Sequence, residues 1–213
     1  MATVTDRAGV EHALLALRPV LAVSGIALGV ATDGGEPFGP GEAELASAMP
    51  ELRRRDFLAG RRAARRALAL AGLPPREILA DGRRPVFPEG CAGTISHSGG
   101  LAVALAAPAS RFRSLGCDLE TRGLPLEAAH LVLGEDERAW AAGSVRRLLF
   151  AFSAKEAAFK ALLDAAPSQL LGVALRPGRG GGFRAWPRDF PERAVEVRCR
   201  GVAGAAFTWA VRL

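Results

Sequence analysis

Strand-like and helix-like runs are both present in this sequence, but they do not alternate. A regular strand-helix-strand rhythm would build a doubly wound parallel sheet, and its absence points to an α+β chain with antiparallel sheets. Residues 11–18 read as a short helix and 20–31 as a buried strand, with loops marked by Asp33-Gly34-Gly35 and by 37–41. A helix is expected to start near Glu42, and Glu51 to Ala71, free of proline and rich in Ala, Leu and Arg, reads as a long one stopped by Gly72 and Pro74-Pro75. Further strands are expected at 101–107, 114–119, 194–199 and 205–213, and helices at 126–142 and 145–163. The glycine-rich stretch 176–189 reads as a loop or hairpin turn, and no internal sequence repeat stands out.

With 213 residues, 49% hydrophobic and 23% charged, the chain has the composition of an ordinary soluble globular protein able to bury a sizeable core. No run offers the ~18 apolar residues of a membrane span, and Asp6, Glu11 and His12 stand where an export signal would carry a basic start. Three cysteines, Cys91, Cys117 and Cys199, are too widely spaced for a disulfide framework or a zinc site, which suits a reducing cytoplasm. The net charge of +6 is almost all arginine, since Lys155 and Lys160 are the only lysines. Such a surface favours nucleic acid, anionic lipid, a phosphate-rich ligand or an acidic protein, and charge alone does not choose among them.

Four motifs carry chemistry. In Gly116-Cys117-Asp118-Leu119-Glu120, the two-residue period of a strand puts both carboxylates on one face, where they repel unless a cation or protons intervene. Hard oxygens of this kind suit magnesium, manganese or calcium. In Phe152-Ser153-Ala154-Lys155-Glu156-Ala157-Ala158-Phe159-Lys160, a helical period sets Glu156 beside the apolar stripe and Lys160 about 40° from Glu156. Thr94-Ile95-Ser96-His97-Ser98-Gly99-Gly100 offers hydroxyls, an imidazole and glycine backbone as donors to phosphate, from a turn leading into the 101–107 strand. The 51–71 helix gathers Arg54, Arg55, Arg61, Arg62, Arg65 and Arg66 on one side, and Gly82-Arg83-Arg84-Pro85 adds a rigid basic turn. Each motif also has a plain reading: an acidic strand face, an i,i+4 pair, a polar turn and a solubilising charge run.

Taken together and in this order, the motifs resemble the larger single-chain phosphopantetheinyl transferases of siderophore and peptide-antibiotic pathways, over roughly residues 50–163. The most specific parts look like that family's G-x-D-x-E, here 116–120, and F-S-x-K-E-x-x-x-K, here 152–160. The resemblance implies transfer of the phosphopantetheine arm of coenzyme A to a serine of an acidic apo carrier protein, acyl or peptidyl, with release of adenosine 3′,5′-bisphosphate. It implies Mg2+, with Mn2+ as a substitute, on Asp118, Glu120 and Glu156. Glu156 would act as, or orient, the base, and Lys155 and Lys160 would bind the pyrophosphate. Ser96, His97, Arg55, Arg61 and Arg84 would hold the nucleotide phosphates. The implied fold is two similar α+β halves, 1–112 on the nucleotide side and 113–213 with the metal and catalytic carboxylates, related by a pseudo-two-fold with the active site between them. A cytoplasmic monomer that binds neither nucleic acid nor membrane is expected. The rival readings are another magnesium-dependent phosphohydrolase or nucleotidyl transferase, and a basic RNA-binding module. The last is disfavoured by an aromatic content of 6% with no tyrosine, which leaves poor stacking platforms.

Overall fold

The computed structural model describes residues 6–32, 35–163 and 166–213, with Arg179 as backbone only. Asp33 and Gly34 of the expected loop lie outside the described residues. The chain divides into two compact units, with the described residues falling into 6–113 and 114–213. Each is α+β with antiparallel strand pairing.

In residues 6–113 the order is α1 (Arg7–Leu15), α2 (Arg18–Val23), β1 (Ala27–Thr32), α3 (Pro40–Ser47), α4 (Glu51–Leu70), β2 (Leu79–Asp81), β3 (Arg84–Val86), β4 (Cys91–Ser98) and β5 (Leu101–Pro108). Asp6 caps α1, its carboxylate accepting from the N–H groups of Ala8 and Gly9, both at 3.1 Å. The expected strand over 20–31 is half helix. Pro19 opens α2, where its missing N–H costs nothing, and Gly25 at φ +75° turns the chain into β1. Among the described residues β1, β5 and β4 form one sheet in that order, and β2 pairs with β3. The polar stretch 94–98, expected as a turn, belongs to strand β4, and only Gly99 and Gly100, at φ +60° and +76°, form the turn into β5. The small-residue face of α4, with Ala59, Ala63, Ala64, Ala67 and Leu68, is buried with Ala102, Ala104 and Ala106 of β5.

Residues 114–213 run β6 (Ser114–Glu120), α5 (Ala129–Val132), α6 (Glu135–Ala141), α7 (Val145–Leu162), β7 (Val173–Pro177), β8 (Phe183–Pro187), β9 (Val195–Val202) and β10 (Ala205–Arg212). The single helix expected over 126–142 is broken, because Leu133 and Gly134 are extended and the Gly134 N–H instead donates to the Glu137 carboxylate at 2.7 Å. The stretch expected to be a loop or hairpin turn contains β8 and the end of β7. Among the described residues the sheet order is β6-β10-β9-β8-β7, all antiparallel, with α7 packed into its core.

The two units are built on the same frame. In each, the first strand pairs with the last, and a long helix descends onto a glycine of that first strand. A Cβ on Gly29 would collide with the Ala63 carbonyl and lie 2.7 Å from the Ala67 nitrogen, and one on Gly116 would meet the Ala157 carbonyl and the Ala161 nitrogen in the same way. A basic side chain one residue before the second alanine then caps the strand carbonyl that follows the glycine: Arg66 to Val30 at 2.6 Å, Lys160 to Cys117 at 2.9 Å. A buried glutamate of a short helix is the other shared node. Glu42 accepts from Phe38 N, Ile78 N and Arg65, while Glu137 accepts from Gly134 N, Leu175 N and Lys155.

Candidate active site

The contact between β6 and α7 assembles the acidic site. Gly116 has no side chain, so the α7 backbone approaches the strand closely, and Ser114 fixes it further by donating its hydroxyl to the Ala161 carbonyl. Strand alternation sets Asp118 and Glu120 on the face of Gly116, toward α7. Asp118 is buried, and its Oδ1 receives the Lys160 ammonium at 3.1 Å. Beneath it, Thr208 stands opposite Asp118 across the β6–β10 ladder, donates to the Ser153 carbonyl at 2.8 Å and lies 3.0 Å from the Ser153 hydroxyl. Glu120 is partly buried and accepts the Arg122 N–H at 2.9 Å.

Charge at this contact is unbalanced. Burial raises the Glu156 carboxyl above the usual carboxylate range, Lys160 opposes the rise, and Asp118 and Glu120 add to it. Burial would lower the Lys160 ammonium, but Asp118, Cys117 and Glu156 together hold it above its ordinary value. The structure therefore puts Glu156 within electrostatic reach of Asp118, Glu120 and Lys160, and Lys160 within reach of Asp118 and Glu156.

Lys155 is not brought to this group by any bond of its ammonium. It is fully buried, and its Nζ lies 2.6 Å from Glu137 Oε2 and 2.8 Å from the Val132 carbonyl. Burial lowers its pKa, Glu137 counters that, and Arg188 adds to the lowering. Glu137 is the residue that the sequence did not disclose as important. Its one readable signal is its position three residues after Gly134, where a glutamate can reach back to the N–H that starts a helix.

In residues 6–113 the expected phosphate ligands divide. Arg61 is buried, with Nε on the Ile78 carbonyl at 2.6 Å and Nη2 on the Leu79 carbonyl at 3.0 Å, and its plane lies 4.2 Å over the Phe57 ring. Burial pulls its pKa down to about 10, against the pull of Glu42 and with that of Arg65, so it remains cationic at neutral pH. Arg55 and Arg84 are exposed. His97 is exposed, with Nδ1 3.7 Å from the Asp56 carboxylate. Ser96 is buried, and as its neighbour in a strand it projects to the opposite face from His97.

A magnesium ion fits the donor chemistry at β6–α7: hard oxygens, with more negative charge than one lysine balances. Among the described residues, however, no group of three or more His, Cys, Asp or Glu is placed to hold a metal by itself.

Comparison with known proteins leads to one family. Residues 41–107 match the 4'-phosphopantetheinyl transferase N-terminal domain. The chain is 41% identical over 130 residues to the 4'-phosphopantetheinyl transferase Npt of Nocardia iowensis, covering 57% of this chain and 57% of that one. It is 40% identical over 128 residues to the 4'-phosphopantetheinyl transferase Svp of Streptomyces mobaraensis, covering 56% and 51%. It is 36% identical over 119 residues to enterobactin synthase component D of Salmonella typhimurium, covering 53% and 49%. The chain thus spans about half the length of the curated relatives it matches, and it is to the 4'-phosphopantetheinyl transferases that it is similar.

Proposed function

We propose that this chain is a 4'-phosphopantetheinyl transferase of the siderophore and peptide-antibiotic type, moving phosphopantetheine from coenzyme A to a serine of an apo carrier protein. The observation that carries the reading is the convergence of Asp118, Glu156 and Lys160 where α7 meets β6, in a chain similar to relatives of that name. In the reaction the carrier serine oxygen forms a bond to the β-phosphorus of coenzyme A, the bond from that phosphorus to adenosine 3′,5′-bisphosphate breaks, and the serine proton leaves for a base.

Asp118, Glu120 and Glu156 are the residues that would hold Mg2+ or Mn2+, with one or two carboxylates sufficing because magnesium keeps waters and substrate phosphates as its other ligands. Such an ion, when bound, supplies charge neutralisation on the pyrophosphate. Glu156, whose carboxyl burial raises in the metal-free chain, would take up or relay the serine proton. Lys160 stays protonated and offers its charge to the departing phosphate. Lys155 holds α7 through Glu137 and serves the site by position. Arg84 and His97 are exposed candidates for the nucleotide phosphates, whereas the Arg61 donors already serve the chain's own carbonyls. Residues 1–112 would be the nucleotide side and 113–213 the metal side.

The net charge of +6 suits an acidic carrier protein through electrostatic steering. None of the described helices is long and apolar enough to cross a membrane, and we place the chain in the cytoplasm as a monomer. Chromatography of a reaction with coenzyme A, magnesium and an apo carrier tests the reading. Adenosine 3′,5′-bisphosphate should form only when carrier and metal are both present. Equal cleavage of coenzyme A without any carrier would instead mark a hydrolase.

A further inference from the structure

A second chemical environment lies in residues 114–213. A cavity of about 520 Å³ is bounded by the start of α7, by β9 and by the glycine-rich turn between β7 and β8. Its floor is aromatic: Trp140, Phe150 and Phe183 line it, and the rings of Trp140 and Phe183 meet edge to face with centroids 5.2 Å apart. Its rim is cationic, formed by Arg146, Arg147 and Arg200, and no Asp or Glu is among the described lining residues.

The three guanidinium groups are largely preorganised. Arg147 donates through Nη1 to the Trp140 carbonyl at 2.9 Å and lies 5.6 Å over the Trp140 ring. Arg200 donates through Nη1 to the Cys199 carbonyl at 2.9 Å, and Arg146 lies 5.9 Å over the Phe150 ring. One carbonyl bond uses one of the five N–H donors of a guanidinium, so each arginine keeps donors for an anion in a plane steadied by a ring or a backbone bond. A volume of this size is that of a small-molecule site, in which an apolar lining gives affinity and a few charged groups fix orientation. Another cavity in these residues, about 610 Å³, is lined by Glu135, Asp136 and Glu137 as well as Arg176 and Arg188, and so has no such single sign.

We infer that the cavity among Trp140, Phe150 and Phe183 is a binding site for a small amphipathic anion, a flat apolar body bearing a carboxylate or sulfonate. The body lies on the rings, and the anionic group meets the arginines. None of the residues assigned to the transfer reaction lines this cavity, so the site stands or falls apart from that reading.

Fluorescence titration of the full chain with 1-anilinonaphthalene-8-sulfonate, beside the neutral N-phenyl-1-naphthylamine, tests the inference. The sulfonate should saturate one site, and the neutral compound should bind at least about tenfold more weakly, as expected for loss of a charge-assisted contact. Arg146→Ala/Arg200→Ala should weaken the sulfonate by about tenfold or more and leave the neutral compound unchanged. If thermal melts show that pair to be unfolded, Arg146→Lys/Arg200→Lys replaces it and should lose part of the sulfonate affinity, because a lysine lacks the planar fork. Gly201 lines the cavity, and a Cβ there would meet only Phe150 Cζ at 3.8 Å, so Gly201→Val should narrow the space beside Phe150 and weaken both titrations. Arg176→Ala, at the other cavity, should change neither. Equal affinity for the two compounds, or an unaltered titration in Gly201→Val, would overturn the inference.

Discussion

Lys160 reaches across from α7 to Asp118 on β6, with Nζ 3.1 Å from Oδ1, and the same ammonium donates to the Cys117 carbonyl at 2.9 Å. One side chain therefore fixes the helix to the strand and carries the positive charge of the acidic site. In the account above that charge stabilises the departing phosphate, so Lys160→Ala should lower kcat by about 10²–10³ while raising the KM for coenzyme A only modestly. Lys160→Arg keeps the charge with a different shape and should recover part of the rate. Steady-state kinetics with thermal melts alongside decide this, and an unchanged kcat would reduce Lys160 to a structural tie.

The acidic cluster gives a pH-dependent signature. Because folding raises the Glu156 carboxyl above its unfolded value, the folded chain without metal retains stability while Glu156 is protonated and loses it as pH rises through that raised value. Glu156→Gln should therefore melt higher than the parent at neutral pH in chelator, and the gap should close as the pH is lowered into the carboxylate range. Added magnesium should raise the melting temperature of the parent more than that of the variant. A gap that widens on acidification would have the wrong sign for this site.

Lys155 should behave unlike Lys160, although the two are neighbours in one motif. The Lys155–Glu137 pair is fully enclosed, with side chains 0% and 4% exposed, so Lys155→Ala leaves a buried carboxylate without its ammonium and should cost about 3–5 kcal/mol. Lys155→Ala/Glu137→Gln should regain part of that loss. Denaturant melts measure both, and a near-neutral Lys155→Ala would return this residue to the list of phosphate ligands.

Gly116→Ala places a methyl group against the backbone of α7, which cannot step aside as a flexible side chain could. We expect a loss of at least about 1–3 kcal/mol, the usual cost of overpacking, together with a fall in transfer rate because Glu156 and Lys160 move with the helix. Gly29→Ala repeats the steric insult in the other unit, on a strand that carries Ala31 where β6 carries Asp118. It should cost comparable stability and less of the rate per folded molecule. Urea melts and single-substrate kinetics on the two variants separate these effects.

The sequence disclosed the long helices and the G-x-D-x-E strand because their periodicity is local: α4 ends at Leu70 and α7 at Leu162, each within one residue of its reading. It misread 20–31, since the apolar residues of a short proline-opened helix and those of the following strand run together without a break in hydropathy. The repeated frame was hidden for a related reason. What recurs is a steric position, Gly29 or Gly116 under a helix backbone, and a carbonyl cap supplied by Arg66 in one unit and Lys160 in the other. The geometry of the candidate site was legible where a period fixes it, as for Asp118 and Glu120 on one strand face. It was not legible for Lys155 and Arg61, which fill matching positions just before the helix residues at the glycine contact and turn inward to Glu137 and to the Ile78 carbonyl. The sequence marks both as cations but carries no sign that their partners are internal.

Intact-mass spectrometry of a panel of apo carrier proteins incubated with this chain, coenzyme A and magnesium decides whether it transfers phosphopantetheine. At least one carrier should gain the mass of a single phosphopantetheine arm at its serine, chelator should prevent the gain, and Asp118→Ala and Lys160→Ala should slow it strongly while remaining folded. No gain on any acyl or peptidyl carrier in the panel, or equal gain from the Asp118→Ala variant in excess chelator, would contradict the proposed function.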